Sequence, residues 1–239
     1  MQVITLETVD STNLYAKNNI ENLPDCTVIH AIRQTSGRGR FSRKWIDLGD
    51  GNLYMSFVLK PADNFREVYS NLTQYLSVVL AKTLESYGLE PQIKWPNDVL
   101  INGKKIAGIL CEVVMESNKF KGLVLGIGVN LNATQEAVNS VPERVVTSLN
   151  LEIVKNVNMY EFLDKLTNDF FKDYEKFLNT GFEMIKSYYI SKLVVLNKEI
   201  SVQVINDVKS GLVKSVNDHG ELVMEKDNKE FVLTIGDIL

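Results

Sequence analysis

The sequence predicts an α+β domain followed by a small all-β domain. Two stretches carry apolar residues at helical spacing, and strand-length runs with hairpin signals separate them without regular β-α-β alternation. From about Leu193 the helical spacing stops, and short alternating runs follow with turn residues between them, a pattern typical of a small barrel. A chain of 239 residues has room for one large and one small domain, which we place at residues 1–190 and 191–239.

The large domain is predicted to begin with a strand, a helix and a second strand. Asp10 or Ser11 is placed to cap a helix that continues to Ile20, because side-chain oxygens there accept hydrogen bonds from free backbone N–H groups. A polar segment rich in Gly and Arg, residues 34–51, predicts a loop, and Pro61 lies just after the strand that follows it. The predicted strands in this part are 2–6, 26–32 and 53–59.

The middle of the chain has the most regular patterns. Apolar residues from Val68 to Leu84 fall at helical spacing, and Gly88 is placed to end that helix. Asn102-Gly103 is the strongest hairpin signal, because both residues tolerate positive φ. The other predicted elements are strands at 99–101, 104–114 and 123–131, a polar stretch at 132–143, a helix at 162–178, a shorter helix after Gly181, and barrel strands near 200–204, 208–216, 221–225 and 230–235.

Composition and charge limit the class of protein. Hydrophobic residues make up 45% of the chain and charged residues 23%, so a core of ordinary size is expected. With a net charge of −4, the overall field does not attract nucleic acid, and any polyanion site must be local. Cys26 and Cys111 are too few for a disulfide framework, and the sequence lacks the apolar runs of a signal peptide or a membrane span. We therefore expect a soluble, cytoplasmic protein.

Positive charge is concentrated in one glycine-rich segment. Between Cys26 and Ile46 the chain has five Lys or Arg residues and no acid. Gly37 and Gly39 allow the backbone to approach a ligand closely, and the neighbouring arginines can bind phosphate or carboxylate oxygens through two hydrogen bonds each. The spacing is neither that of a Walker A loop nor that of a dinucleotide fingerprint. A solvated basic loop or a nucleic-acid patch is the alternative interpretation, against which the glycines and Trp45 argue.

Other segments carry polar groups suited to a ligand site. Lys105 lies near the start of an otherwise apolar strand, where it either reaches solvent or faces a ligand, and Gly108 marks a bulge or a close approach. Asp98 and Glu112 are candidate metal ligands, but two carboxylates do not identify a site, and the metal ligands stay unassigned. Two further segments are candidates for a ligand site, and each also has a structural explanation. Sheet packing explains Gly126-Ile127-Gly128-Val129-Asn130-Leu131-Asn132, and helix capping explains Ser11-Thr12-Asn13.

Five segments with polar or glycine residues follow one another along the chain. They are Asp10-Ser11-Thr12-Asn13; Gln34 with Gly37-Arg38-Gly39-Arg40, Arg43 and Trp45; Lys94-Trp95-Pro96-Asn97-Asp98; Lys105-Ile106-Ala107-Gly108-Ile109-Leu110-Cys111-Glu112; and Gly126-Ile127-Gly128-Val129-Asn130. Taken in this order, they resemble the corresponding segments of the biotin protein ligases. The resemblance spans about residues 9 to 150, and the Gly-Arg-Gly-Arg loop and the Lys-Trp-Pro-Asn-Asp segment are highly specific as a pair. The resemblance implies a central mixed sheet flanked by helices, related to the class II aminoacyl-tRNA synthetase core, and then an SH3-like barrel.

The resemblance also implies the reaction. In this family the carboxylate of biotin attacks the α-phosphorus of ATP, giving biotinyl-5′-AMP and pyrophosphate, and a lysine of a biotin carboxyl carrier protein then accepts the biotin. ATP and biotin are the expected substrates, with Mg²⁺ bridging phosphate oxygens. Members that also repress transcription carry an N-terminal winged helix-turn-helix. This chain reaches its Ser-Thr-Asn segment by residue 11, so we expect the monofunctional type, no DNA binding and, as is frequent in the family, a homodimer.

Most polar residues of these segments are thereby assigned to biotin or to the adenylate. Lys105 and Arg40 are expected to be catalytic, with the Lys105 ammonium stabilising charge on the reacting phosphorus. The resemblance places around biotin the residues Ser11, Thr12, Asn13, Gln34, Gly37, Arg38, Gly39, Lys105 and Gly108. It places around ATP and the adenylate the residues Arg38, Arg40, Arg43, Trp45, Lys94, Asn97, Lys105 and Asn130. The sequence departs from some relatives at Phe41 and Ser42, where they have Arg and Gly, and at Val145, near which they have a Trp against the adenine.

Two alternative functions remain. Lipoate–protein ligases adenylate an acyl group on the same fold, but the Lys-Trp-Pro-Asn-Asp segment and the arginine spacing favour biotin. A non-enzymatic nucleic-acid-binding protein would use the basic loop and the barrel. The net charge of −4 and the lack of interleaved aromatic residues on the barrel strands argue against that second alternative.

Overall fold

A computed structural model describes residues 2–61, 64–142 and 144–239. The strands in these residues are β1 (Gln2–Val9), β2 (Thr27–Gln34), β3 (Leu53–Leu59), β4 (Pro91–Lys94), β5 (Asp98–Ile101), β6 (Lys104–Glu116), β7 (Lys119–Val129), β8 (Glu199–Val204), β9 (Asp207–Val216), β10 (Leu222–Lys226), β11 (Lys229–Leu233) and β12 (Asp237–Ile238). The helices are α1 (Thr12–Asn18), α2 (Leu72–Glu85), α3 (Gln135–Asn139), α4 (Leu149–Ile153), α5 (Met159–Thr180) and α6 (Glu183–Lys192). Short 3₁₀ segments lie at Ile20–Asn22, Arg40–Ser42 and Glu67–Asn71.

The large sheet has seven strands in the order β1-β2-β3-β7-β6-β5-β4. β1 and β2 are parallel, and the other neighbouring pairs are antiparallel, so the sheet is mixed, as predicted. The predicted turn connects β5 to β6, with φ of 51° at Asn102 and 75° at Gly103. The pairing of β5 with β6 ends at Gly108, and beyond it the outer edge of β6 has no strand partner among the described residues.

Helices cover the two faces of the sheet unequally. One face packs against α2, α5 and α6 in the main core, where the ring of Phe170 stacks 4.3 Å from that of Phe57 and also contacts Tyr75. On the opposite face, Ala16 of α1 and Ile20 of the following turn pack on one end of the sheet. The part of this second face that α1 leaves uncovered carries a cluster of polar side chains.

The C-terminal part of the chain forms a second, antiparallel sheet in the order β11-β10-β9-β8-β12. Its turn between β9 and β10 contacts the start of α2, where Asn71 Nδ2 donates to His219 O and Gln74 Nε2 donates to Gly220 O, each at 2.7 Å. Gly220 has a φ of 77°, and a Cβ there would lie 2.6 Å from Asn71 Nδ2. This turn therefore requires glycine to pack the small sheet against the start of α2.

Some predicted boundaries are wrong. α1 ends at Asn18 and does not reach Ile20, because Asn19 Nδ2 donates to the carbonyl of Tyr15 at 2.8 Å and competes with continued helical bonding. Cys26 has a φ of 58° and precedes β2. Gln34, which we expected to open the loop, is the last residue of β2.

The α2 helix also starts later than its periodicity suggests. Val68 lies in the preceding 3₁₀ segment, and α-helical bonding begins at Leu72. The predicted polar stretch at 132–143 contains the short helix α3, which Thr134 caps by accepting from Ala137 N; Glu143 lies outside the described residues. In the part of the chain that the structure describes, no helix has the length and apolar composition needed to cross a bilayer.

Candidate functional site

Glycines on β6 and β7 open a flat area on the sheet face that α1 partly covers. Side chains alternate along a strand, so Val124, Gly126 and Gly128 share one face, and Val124 packs beneath α1. Gly126 pairs with Ser56 of β3, and Gly128 pairs with Gly108 of β6. We call the area formed by Gly108, Gly126 and Gly128 the glycine floor.

A hydrogen-bond network borders one end of the glycine floor. Gln34 Oε1 accepts from the backbone N of Thr12 at 2.8 Å and from its Oγ1 at 3.2 Å. Ser56 Oγ lies 2.8 Å from Thr12 Oγ1 and donates to Asn13 Oδ1 at 2.6 Å. A Cβ on Gly126 would overlap the Asn13 amide, whose Cγ would be 2.7 Å away. The Asn13 amide therefore lies directly on the glycine floor, and all of these polar side chains are buried.

Glu112 on β6 connects this network to the glycine-rich loop. Its Oε2 accepts from Asn13 Nδ2 at 3.0 Å, and its Oε1 accepts from Lys17 Nζ at 2.8 Å. Arg38 NH1 lies 3.3 Å from the same Oε1. Burial alone would raise the pKa of Glu112, but the hydrogen bonds from Lys17 and Asn13 and the charges of Lys17 and Arg38 together lower it. The carboxylate is therefore held in its ionised form.

The glycine-rich loop folds back on itself as a narrow hairpin. Trp45 N donates to Gly37 O at 2.9 Å, and Gly39 N donates to Arg43 O at 2.8 Å, with an isolated antiparallel bridge between these two bonds. A Cβ on Gly37 would lie 2.6 Å from the carbonyl oxygen of Trp45. The close pairing at the base of the hairpin therefore depends on glycine. These backbone hydrogen bonds fix the main chain from which the arginine side chains extend.

The indole of Trp45 covers part of the glycine floor. A Cβ on Gly128 would lie 2.6 Å from the indole Nε1, and a Cβ on Gly108 would lie 2.8 Å from Cζ3. The indole Nε1 is buried without a hydrogen-bond partner among the described residues. Lys105 Nζ lies 5.4 Å from the centroid of the ring. The residue predicted to serve the nucleotide thus occupies the floor itself in this structure.

Lys105 lies at the far end of the glycine floor and points toward it. Its Nζ is 2.6 Å from Asp98 Oδ1, and Arg144 NH1 is 3.8 Å from the other oxygen of that carboxylate. The backbone of Lys105 bonds to Val145 O and Thr147 N, which fixes its position. Burial lowers the pKa of Lys105, and the charge and hydrogen bond of Asp98 oppose that shift without cancelling it.

The loop arginines also contact the last strand of the chain. Arg40 and Arg43 form ion pairs with Asp237 in β12, the first with an N–O distance of 3.5 Å. Arg40 NH1 donates weakly to Asn97 Oδ1 at 3.4 Å, and Lys94 Nζ donates to a β12 carbonyl at 3.2 Å. The second sheet therefore supplies an acidic group beside the loop, across from the Lys-Trp-Pro-Asn-Asp segment.

The structure brings eight of the fifteen predicted site residues to the glycine floor. Around the glycine floor lie Thr12, Asn13, Gln34, Gly37, Arg38, Trp45, Lys105 and Gly108. Ser11 is buried at the start of α1, where its backbone N donates to Asp10 Oδ1. Asn130 is 3% exposed, and its Nδ2 donates to Thr147 O at 2.9 Å, so its amide holds the segment before α4 against the sheet. Lys94 and Asn97 lie near β12.

The two carboxylates considered for a metal do not come together. Asp98 pairs with Gly108 in the sheet, and Glu112 lies four residues further along β6, about 13 Å away at the usual strand rise. Each carboxylate is already paired with a lysine. Within residues 2–61, 64–142 and 144–239, no group of three or more His, Cys, Asp or Glu side chains is arranged to hold a metal ion.

Sequence reasoning missed three polar residues at the site. Ser56 is a single serine in an otherwise apolar strand, and Asp237 is near the opposite end of the chain from the loop that it contacts. Asp47 anchors the return of the loop, because its carboxylate accepts from Arg33 Nε at 2.7 Å and from Tyr54 Oη at 2.9 Å. A buried polar residue inside an apolar strand is the one local signal that sequence reasoning could have used, at Ser56.

Comparisons with known proteins identify the family of the chain. Residues 5–130 match the Biotin/lipoate A/B protein ligase family. A biotin–[acetyl-CoA-carboxylase] ligase of Paracoccus denitrificans is 30% identical over 227 residues, covering 92% of each chain. The bifunctional ligase/repressor BirA of Bacillus subtilis is 30% identical over 85% of this chain. The present chain spans 63% of the length of that relative.

A solved structure shows the same arrangement of elements. The biotin protein ligase from Aquifex aeolicus, in complex with biotin and ATP, superposes with a TM-score of 0.81 and 28% sequence identity. The superposition covers all of this chain and 97% of that one. Both sheets of the present chain therefore have counterparts in the solved structure.

Proposed function

The chain belongs to the biotin/lipoate A/B protein ligase family, and on that premise we propose that it is an ATP-dependent biotin–protein ligase. The observation that supports this most directly is the glycine floor. It runs from a buried network of amides and hydroxyls to the ammonium of Lys105, and a cationic hairpin lies over it. A flat apolar surface with few convergent polar groups suits a small bicyclic ligand that carries one carboxylate.

The network at the α1 end suits the ureido group of biotin. That group has both N–H donors and a carbonyl acceptor, and Thr12, Asn13 and Gln34 offer hydroxyls and amides that do both. Glycines at 126 and 128 allow the ring system to lie against the backbone of β7. Because the Trp45 indole covers part of this area, biotin binding requires the indole to move or to stack on the ligand.

The Lys105 end suits the carboxylate and the α-phosphate. A fixed ammonium at this point stabilises the charge that develops on the phosphorus as the biotin carboxylate attacks and pyrophosphate leaves. Arg40 and Arg43 are paired with Asp237, and phosphate oxygens are strong competitors for guanidinium groups. We infer that ATP draws these arginines from the carboxylate of Asp237 to its phosphates.

Mg²⁺ is expected to enter with ATP, since it usually binds through substrate phosphates and one or two carboxylates. The described residues do not fit a metal site formed by the protein alone, because Asp98 is the carboxylate nearest Lys105 and is already paired with Lys105 and Arg144.

We infer that the acceptor is a lysine on a carrier domain of a biotin-dependent carboxylase, in keeping with the activity named for the Paracoccus relative. The division at residues 1–190 and 191–239 remains our proposal, and it falls in the last turn of α6, before β8 begins at Glu199. We propose that the second sheet is an SH3-like barrel, which its five short antiparallel strands support.

Oligomeric state and location complete the proposal. A homodimer is supported by the outer edge of β6, where Val113 and Met115 are exposed beyond the end of β5, and light scattering on the purified protein would measure it. We propose a cytoplasmic location because Cys26 and Cys111 are both free thiols, which are usual in reducing compartments.

The direct test of the function is mass spectrometry of a carrier domain after incubation with this protein, biotin and MgATP. We expect a gain of one biotin on one lysine. A parallel reaction with lipoate in place of biotin distinguishes the related ligase activity, and modification by lipoate alone would refute the proposal.

A substitution at Lys105 tests the assigned chemistry. Lys105→Gln keeps a hydrogen-bond donor for Asp98 but removes the charge, so we expect biotin-dependent pyrophosphate release to fall by about 100-fold or more. Lys104→Gln is the matched control, because Lys104 is the adjacent, exposed lysine of the same hairpin. Equal rates in the two variants would show that Lys105 has no catalytic role.

A further inference from the structure

Glu112 is in contact with three separate parts of the site. It receives hydrogen bonds from Asn13 and Lys17 on α1, and it pairs with Arg38 in the glycine-rich loop. Its own strand, β6, also forms part of the glycine floor at Gly108. One carboxylate thus joins a helix, a loop and a strand that are distant in sequence.

The geometry around Asn13 shows what this carboxylate controls. Asn13 Nδ2 donates to Glu112 Oε2 at 3.0 Å and to Leu110 O at 3.2 Å, while Oδ1 accepts from Ser56 Oγ at 2.6 Å. Because the amino side of the amide is directed to Glu112, the carbonyl side lies toward Ser56 and over Gly126. Loss of the carboxylate would remove the charged one of the two acceptors that select this orientation, leaving only Leu110 O.

The contact with Arg38 has a similar effect on the loop. Arg38 is in the hairpin that carries Trp45 across the glycine floor. It lies between Gly37, which bonds to Trp45, and Gly39, which bonds to Arg43. The Arg38 side chain is 42% exposed, whereas the Glu112 side chain is 15% exposed. The pair therefore links a solvent-facing loop to a fixed point in the sheet.

Resting on the proposed function, we propose that Glu112 is a positioning residue that acts through Arg38 and Asn13 to hold the loop and the amide in the arrangement that retains biotin. It is more than 10 Å along β6 from the Lys105 end of the floor at the usual strand rise, so it does not touch the reacting atoms. Substitution of Glu112 should therefore raise KM for biotin and leave kcat of adenylate formation nearly unchanged.

Steady-state kinetics of adenylate formation test this role. For Glu112→Gln we expect KM for biotin to rise about tenfold, the size expected for a charged hydrogen bond that is partly screened by solvent, with kcat within about twofold of wild type. Combining Glu112→Gln with Arg38→Gln should add little to the effect of either change, because the two residues form one contact. Fully multiplicative effects, or an unchanged KM in an active protein, would overturn the proposal.

Two further variants separate positioning from support of α1. Lys17→Gln removes the helix-side ion pair of Glu112 and leaves Arg38 and Asn13 in place, so KM should change less than in Glu112→Gln. An equal rise in both variants would mean that Glu112 merely fastens the helix. Glu116→Gln, on the same strand and paired with Lys121 at 2.8 Å, is the matched control and should behave as wild type.

A measurement independent of activity keeps the inference distinct from the proposed function. Hydrogen exchange at the amides of Gly39 and Trp45, which donate within the loop hairpin, should become faster in Glu112→Gln and return toward wild type in Glu112→Asp. Unchanged exchange would refute the positioning role even if the protein ligates biotin. Absence of biotin-dependent pyrophosphate release in the wild-type protein would instead refute the function, while the exchange result would still decide the role of Glu112 in the loop. If Glu112→Gln does not fold, Glu112→Asp must show a smaller change in the same direction for the proposal to stand.

Discussion

We expect Gly126→Ala to destabilise the protein and to damage its ligand site together. The added methyl group would overlap the side-chain amide of Asn13, whose Cγ would lie 2.7 Å from the new Cβ. Asn13 cannot yield freely, because its amide is bonded to Ser56, to the carbonyl of Leu110 and to Glu112, at 2.6, 3.2 and 3.0 Å. The methyl group can be accommodated only if this network is broken or the strand shifts.

The expected cost follows from these contacts. Each buried hydrogen bond contributes about 1 kcal/mol net and somewhat more when one partner is charged, so losing the three bonds of Asn13 costs about 3 kcal/mol. A backbone shift that preserved the bonds would cost about 1–3 kcal/mol through overpacking. We therefore expect a loss of about 2–3 kcal/mol in the free energy of unfolding, which lowers Tm by roughly 4–12 °C for a chain of this size.

Urea titration and a thermal scan on both proteins measure the effect, with biotin binding followed by calorimetry. Gly128→Ala is the matched control on the same strand and face, because its methyl group meets the Trp45 indole, which belongs to a loop and can move aside. We expect that control to lose less than about 1 kcal/mol. A Gly126→Ala protein within about 0.5 kcal/mol of wild type would show that the Asn13 amide does not lie on the floor as described.

Three other predictions concern pH and the contact between the two sheets. Burial lowers the pKa of His30 to about 4, so as the pH falls the unfolded chain binds a proton before the folded protein does. The contribution of neutral His30 to the free energy of unfolding is therefore fully present above about pH 6.5 and is lost toward pH 4, by about 3 kcal/mol at most. Measured by unfolding at a series of acidic pH values, this loss should be absent in His30→Leu. Because burial lowers the pKa of Lys105 below 10.5, adenylate formation should decline as pH rises through that lowered pKa, and a rate that stays constant to pH 10.5 would contradict a catalytic ammonium. Gly220→Ala places a Cβ against Asn71 on a residue whose φ is 77°. Urea titration should therefore show a loss of about 2 kcal/mol in the free energy of unfolding. An unchanged midpoint of urea unfolding would show that the turn adapts.

Those parts of the fold that depend on local patterns were predicted from the sequence. The α5 helix and the Asn102-Gly103 hairpin follow from apolar spacing and from residues that accept positive φ, and the structure has both. The short helices α3 and α4 have five residues each, fewer than two turns, and so give no periodicity to detect. The end of α1 was missed because a side-chain bond from Asn19 competes with the helix.

The site was predictable where residues are close in sequence and hidden where the contact is long-range. The loop glycines and arginines form one segment, so their convergence is visible in the sequence alone. Glu112 and Arg38 are 74 positions apart, and Asp237 is nearly 200 positions from the loop that it contacts. Only the pairing of β6 with β7, and the packing of the second sheet against the first, brings these charges together.

The position of Trp45 gives the molecule an internal optical probe. The chain has two tryptophans, and the other, Trp95, is 3% exposed with its indole N–H donating to Gly220 O at 3.2 Å. Its emission should respond to loosening of the contact between the sheets. The Trp45 indole, in contrast, lies among glycine backbone atoms and an ammonium group, and any ligand entering the glycine floor must change those surroundings. Unlabelled fluorescence, compared with that of Trp45→Phe, should therefore report occupancy of the floor separately from movement of the small sheet.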